Sequence, residues 1–220
     1  MWTAFGHILP LALAVALSSV PIMATILILL SPNKNRSSVP FLIGWVLGIA
    51  ATIVGFTLLA QVVPAPSARR SQPAVGALLI LIGLGLLIQA VIVWRRDARE
   101  GSGIPKWLSA VGSLGPWQAF GLAFLMNLRP KAILLSAAAG LSLRADGLSV
   151  NEAWLIIGAY TVISASTVGF LIIGSRLRPQ RAETWLVNAR DWTIANNRLV
   201  TVLIMVIVGV VVIWNGLSRL

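Results

Sequence analysis

Apolar residues run through this 220-residue chain in long stretches separated by short polar connections. Six stretches, roughly 8–30, 39–63, 73–94, 116–139, 151–175 and 199–217, are almost free of charge. Each is long enough to cross about 30 Å of hydrocarbon at about 1.5 Å per residue, so the pattern predicts six transmembrane helices. The intervals between them hold most of the Lys, Arg, Asp and Asn residues. Two intervals are more than turns. Trp107, Leu108, Val111 and Leu114 recur at helical spacing, and Trp185, Ala189 and Trp192 fall at i, i+4 and i+7. Both segments read as helical anchors lying along the inner headgroup layer, the level that tryptophan prefers.

Composition sharpens this picture. Hydrophobic residues make up 58% of the chain and charged residues 10%, whereas a soluble domain carries about 25% charged residues. Lipid is therefore the solvent, and the chain reads as one polytopic all-α domain over residues 1–220. Cysteine is absent, which excludes disulfides and thiolate ligands. One histidine and six acids leave little for an intramembrane metal site, and no cofactor or metal is expected. The net charge of +11 does not point to nucleic acid, because the cations cluster beside apolar runs as topology signals. Lys34 and Arg36 follow span 1; Arg95, Arg96, Arg99 and Lys106 follow span 3; Arg176, Arg178, Arg181, Arg190 and Arg198 follow span 5. The other connections and the C-terminus hold only Arg69, Arg70, Arg144 and Arg219. The positive-inside rule then predicts both termini outside a cytoplasmic membrane. Residues 1–7 contain no Lys or Arg, and the following apolar run is 23 residues long, so span 1 reads as a retained helix, not a cleaved signal.

Small residues line helical faces in three spans: Gly44, Gly48, Thr52 and Gly55 in span 2; Gly76, Gly83 and Gly85 in span 3; Ala165 and Gly169 in span 5. Such faces let backbones approach where lipid supplies no hydrophobic drive between helices. Pro21 and Pro130 lie half a chain apart, each preceded by small or polar residues within an apolar span. Three spans per half is an odd number, so the halves enter the membrane from opposite sides. The pattern predicts a 3+3 inverted repeat, about 1–98 and 110–220, with helices 1 and 4 interrupted at Pro21 and Pro130 and meeting near the midplane.

Span 4 also contains Asn127-Leu128-Arg129-Pro130-Lys131, with two cations past its midpoint. A cation at a helix centre in the bilayer costs about 2.5–3.5 kcal/mol on insertion scales. The six acids, Asp97, Glu100, Asp146, Glu152, Glu183 and Asp191, lie in the connections or at their edges; only Asp146 and Glu152, which bracket the connection between spans 4 and 5, are near enough in sequence to dip toward the pair. Pro130 cannot donate to the carbonyl of Met126, so polar backbone is exposed at the same level. A positive pocket results, suited to a phosphate, sulfate or carboxylate group. Two alternatives stand beside it: snorkelling of Arg129 and Lys131 to the outer headgroups, and an internal structural network. Ser18, Ser19 and Pro21 are the counterparts from the first half, and the serines could instead bond back to their own helix. His7 reads as an interfacial histidine.

The run from Leu9 to Pro32, the segment FLIGWVLG from Phe41 to Gly48, and NLRPKAILLSAAAG from Asn127 to Gly140 resemble the actinobacterial GAP family, the peptidoglycolipid- or sulfolipid-addressing proteins. That family is grouped with the LysE-type transporters, described as two three-helix repeats whose fourth helix carries an Asn-Pro-Lys motif. Asn127, Pro130 and Lys131 are similar to that motif, with Leu128 and Arg129 inserted. Ser19, Val20 and Pro21 stand where the LysE-type first helix has a Gly-Pro-Gly element, a departure from the amino-acid exporters. The resemblance implies export of a polar or anionic glycolipid or related envelope lipid, with membrane lipid or glycolipid as substrate. A lipid-export protein and a second copy of the chain are its candidate partners. On this reading Ser18, Ser19, Pro21, Asn127, Arg129, Pro130 and Lys131 bind substrate. Two rivals are a small-solute exporter for an amino acid or anion, and a non-transporting scaffold with a filled core and outward-snorkelling cations. No nucleophile–base pair lies within the spans, so no enzyme is expected.

Overall fold

Residues 201–213 are rich in valine and isoleucine, which in water favour strands, yet they are helical. In hydrocarbon an open strand edge would leave N–H and C=O groups unbonded, whereas a helix bonds them within itself. The same constraint shapes the rest of the chain. A computed structural model describes residues 2–62, 73–100, 110–145, 148–177 and 179–218, and every regular element in them is helical. These are α1 (Trp2–Ala16), α2 (Ser19–Leu29), α3 (Lys34–Leu59), α4 (Pro73–Glu100), α5 (Pro116–Met126), α6 (Pro130–Ala145), α7 (Val150–Leu177) and α8 (Pro179–Leu217), with short 3-10 turns at Ala60–Val62 and Ala110–Ser113.

Four helical stretches, Lys34–Leu59, Ala74–Arg95, Val150–Leu177 and Arg198–Leu217, are long and apolar enough to cross a membrane. Two bent pairs also qualify, each taken as one span: Ala4–Ala16 with Ser19–Leu29, bent by 44°, and Pro116–Met126 with Pro130–Arg144, bent by 60°. Large apolar side chains such as Leu47, Leu81, Ile88, Val162, Phe170 and Ile207 point outward, as a lipid solvent permits. The molecule is a multi-span helical membrane protein.

Both breaks have local causes. A proline clashes with the carbonyl four residues earlier but is tolerated in the first turn of a helix. Pro21 is the third residue of α2, and the residue four before it is Leu17, just past the end of α1. Ser18 is extended, with φ −68° and ψ 118°, and turns the chain. Pro130 opens α6, and four residues before it Met126 closes α5. Between them the Asn127 and Leu128 N–H groups tighten onto the Phe124 and Leu125 carbonyls at 3.1 and 3.0 Å.

The helices meet where side chains are missing. Antiparallel α4 and α8 pair through Gly76 opposite Gly216 and Gly83 opposite Gly209: a Cβ on Gly216 would stand 2.8 Å from the Gly76 carbonyl oxygen, and one on Gly83 2.8 Å from that of Gly209. Gly44 lets α3 onto the Phe120 carbonyl of α5, and Gly140 of α6 sits against the Phe56 backbone, 2.7 Å from where its Cβ would be. Gly55 and Gly169, expected on packing faces, have open space around them instead.

The segment expected to lie along the inner headgroups, Trp185 to Trp192, forms the first part of α8 in one unbroken 39-residue helix with the last span. Trp185 packs edge-on against Phe170 of α7, and Arg198 lies 3.8 Å over the Trp94 ring of α4. The companion segment is described from Ala110 onward, where Val111 is buried; Trp107 and Leu108 lie outside the described residues.

Candidate functional site

The two helix breaks face a common cavity of about 250 Å³. Val15, Ser18, Val20 and Pro21 line it from the first break, and Met126, Arg129, Lys131, Ala132 and Leu135 from the second. Trp45 of α3, Val93 of α4, and Thr201 and Met205 of α8 close the wall. Apolar groups dominate this lining, and its polar groups are chiefly donors. The Lys131 Nζ is buried with no hydrogen-bond partner among the described residues, and so is the Trp45 indole Nε1. The Ser18 hydroxyl caps nothing on α2. Both α2 and α6 begin here, and the first N–H groups of a helix have no intrahelical acceptor, so two positive dipole ends add to the charge of Lys131 and Arg129.

The residues singled out in the sequence separate into groups. Ser18, Pro21, Arg129 and Lys131 line the cavity. Ser19 sits behind it, sharing a 3.1 Å hydrogen bond with the Thr201 hydroxyl. Asn127 is only 2% exposed and turns away from it: its Nδ2 donates to the Ala123 carbonyl at 3.2 Å, and a Cβ on Gly48 would lie 2.5 Å from that nitrogen. Pro130 is exposed.

Of the acids near enough in sequence to dip toward the cations, Glu152 is engaged elsewhere. It accepts from the Ser149 N–H at 3.0 Å and from the Ser149 hydroxyl at 2.7 Å, a capping box at the start of α7. Asp146 lies outside the described residues. Among the described residues no group of three His, Cys, Asp or Glu side chains could hold a metal ion.

Sequence reasoning missed Trp45, Val93, Thr201 and Met205. Thr201 could have been found, because it is the one hydroxyl in the apolar run from Leu199 to Trp214. Trp45 carried a signal as well, since an indole N–H well inside a span needs an acceptor. Val93 and Met205 are apolar residues in apolar helices, and nothing in the sequence distinguishes them.

A bundle of membrane-crossing helices with a cavity between two broken ones is the architecture of a polytopic membrane protein, not of a soluble domain. The family model described as Sap, sulfolipid-1-addressing protein, matches residues 8–218, and the chain belongs to that family. No curated protein and no solved structure matches it.

Proposed function

We propose that this protein moves an anionic, polar-headed envelope lipid across the cytoplasmic membrane, with the central cavity receiving its headgroup and the acyl chains remaining in the bilayer. The observation that carries this reading is the Lys131 ammonium, buried in the cavity wall with no hydrogen-bond acceptor among the described residues. A charge held in a low-dielectric site without a counterion is costly, and an anionic ligand removes that cost. Trp45, Ser18 and the two helix ends add neutral donors for the remaining oxygens. At about 250 Å³ the cavity falls below the roughly 300–1,000 Å³ of drug-sized ligand pockets, which suits a headgroup alone. Membership in a family named for sulfolipid addressing agrees with such a cargo.

The scaffold reading expected a filled core and cations reaching outward; a cavity at Pro21 and a buried Lys131 Nζ weigh against it. Counting each bent pair once gives six spans, which we read as a 3+3 inverted repeat. The pairing of elements supports this: α1 packs on α7 as α5 packs on α3, α2 on α8 as α6 on α4, and α4 and α8 on each other. With both termini outside, Val93 and Thr201 belong to the inner halves of their helices, so the headgroup enters from the inner leaflet. Alternating exposure by rocking of the two halves is the matching mechanism for an inverted repeat. No covalent step on the cargo is involved.

Reconstitution in vesicles tests this. Transbilayer movement of an anionic glycolipid is expected for the parent protein and expected to vanish for the pair Arg129→Gln and Lys131→Met. Undiminished lipid movement in the double variant would refute the assigned site; amino-acid efflux without lipid movement would favour the small-solute exporter.

A further inference from the structure

A second hollow, about 530 Å³, opens at the opposite end of α3 from Lys34, between the last turns of α3, the end of α6 and the first turns of α7. Leu143 and Ile157 form its buried floor, while Leu58 and Trp154 at its edge are more than half exposed. It is therefore an open cleft with an apolar edge, as a groove bordering lipid would have. Among the described residues Arg144 is the one charged group in its lining, and the Arg144 Nε is buried with no hydrogen-bond partner there. Glu152, near in sequence, is held by Ser149 in its capping box and does not line the cleft. An amphipathic hollow with one unanswered guanidinium nitrogen, and no carboxylate among its described lining residues, is complementary to a single molecule: an anionic head on an apolar tail. A guanidinium also matches a phosphate or sulfate through paired donors.

We infer that this cleft is a binding site for one anionic lipid of the membrane, with its headgroup on Arg144 and an acyl chain along Leu143 and Ile157. The site is separate from the central cavity. The two share no lining residue, and between their lining positions on α3 and α6 the Ser136 hydroxyl meets that of Thr52 at 3.3 Å. In the proposed topology the cleft is at the outer end of the protein, where a transported lipid would emerge. The inference rests on the cleft's own chemistry and holds whether or not the central cavity transports.

The test is photolabelling of the full-length protein in phosphatidylcholine vesicles with phosphatidylglycerol carrying a diazirine on its acyl chain, read by mapping the label within residues 143–157. The expected result is label on this segment several-fold above that from the matching phosphatidylcholine probe. Arg144→Gln is expected to lower it about fivefold and Arg144→Lys to retain most of it. Ala153→Trp, which fills the apolar wall without changing charge, is expected to remove label from Leu143 and Ile157. Equal labelling by both probes overturns the inference, and so does undiminished labelling in Arg144→Gln or Ala153→Trp. The probe comparison on the parent protein keeps the test valid if Arg144→Gln fails to fold. Labelling needs no lipid movement, so undiminished transport in the Arg129→Gln, Lys131→Met double variant with labelling intact counts against the central site alone.

Discussion

Replacing Lys131 with methionine keeps the length and flexibility of the side chain and removes its charge. In the parent protein the Nζ is buried without an acceptor among the described residues. Insertion scales put a lysine at the centre of a membrane helix at about 2.5–3.5 kcal/mol. Part of that is relieved here because the group borders a cavity, which leaves roughly 1–3 kcal/mol to be recovered in the empty protein. For a chain of this length each kcal/mol corresponds to about 2–4 °C, so Lys131→Met should melt about 2–12 °C higher than the parent in detergent. The nine tryptophans make intrinsic fluorescence a direct readout. Added anionic glycolipid should close this gap and, over most of that range, reverse the order. A ligand at about 100 times its Kd stabilises the form that binds it by about 2.7 kcal/mol, and only the parent should respond. A methionine variant that melts below the parent would refute the reasoning, because it would mean that the ammonium already has an anion within the protein and that the cavity offers no unmet charge.

Two further outcomes follow from the packing and the topology. Gly216→Val drives a side chain into the Gly76 carbonyl and should cost about 1–3 kcal/mol in thermal unfolding, whereas Gly169→Ala, with nothing within 4 Å, should be neutral or gain up to about 1 kcal/mol. Because the chain has no native cysteine, single cysteines report sidedness: one at Asn33 should react with an impermeant maleimide only from the cytoplasmic side and one at Gln61 only from outside, and the reverse pattern would invert the proposed orientation.

The apolar segments were legible because lipid demands length and uniform apolarity, and both survive in a single sequence. The cations of span 4 were legible for the related reason that charge in such a segment has few explanations. Partnership between segments was much less so. Asn127, three residues from Pro130, turns to Gly48 on α3, and the sequence does not record which way a side chain faces at a helix end. Gly55 and Gly169 share the small-residue spacing of Gly44 and Gly48, yet only the latter pair has a neighbour close enough to need them. The seven-residue spacing of Gly209 and Gly216, matching that of Gly76 and Gly83, was readable and is what brings α4 and α8 together. The continuity of α8 was hidden by the polar residues before Leu199, which resemble a connection.

That continuity has a mechanical consequence. At about 1.5 Å per residue α8 is some 58 Å long, nearly twice the thickness of the hydrocarbon, so a large part of it stands clear of the oil. Thr201 and Met205 on the cavity wall and Trp192 on the protruding part belong to the same rod, with no joint between them. Whatever grips the protruding end therefore holds a lever whose short arm is a wall of the central cavity.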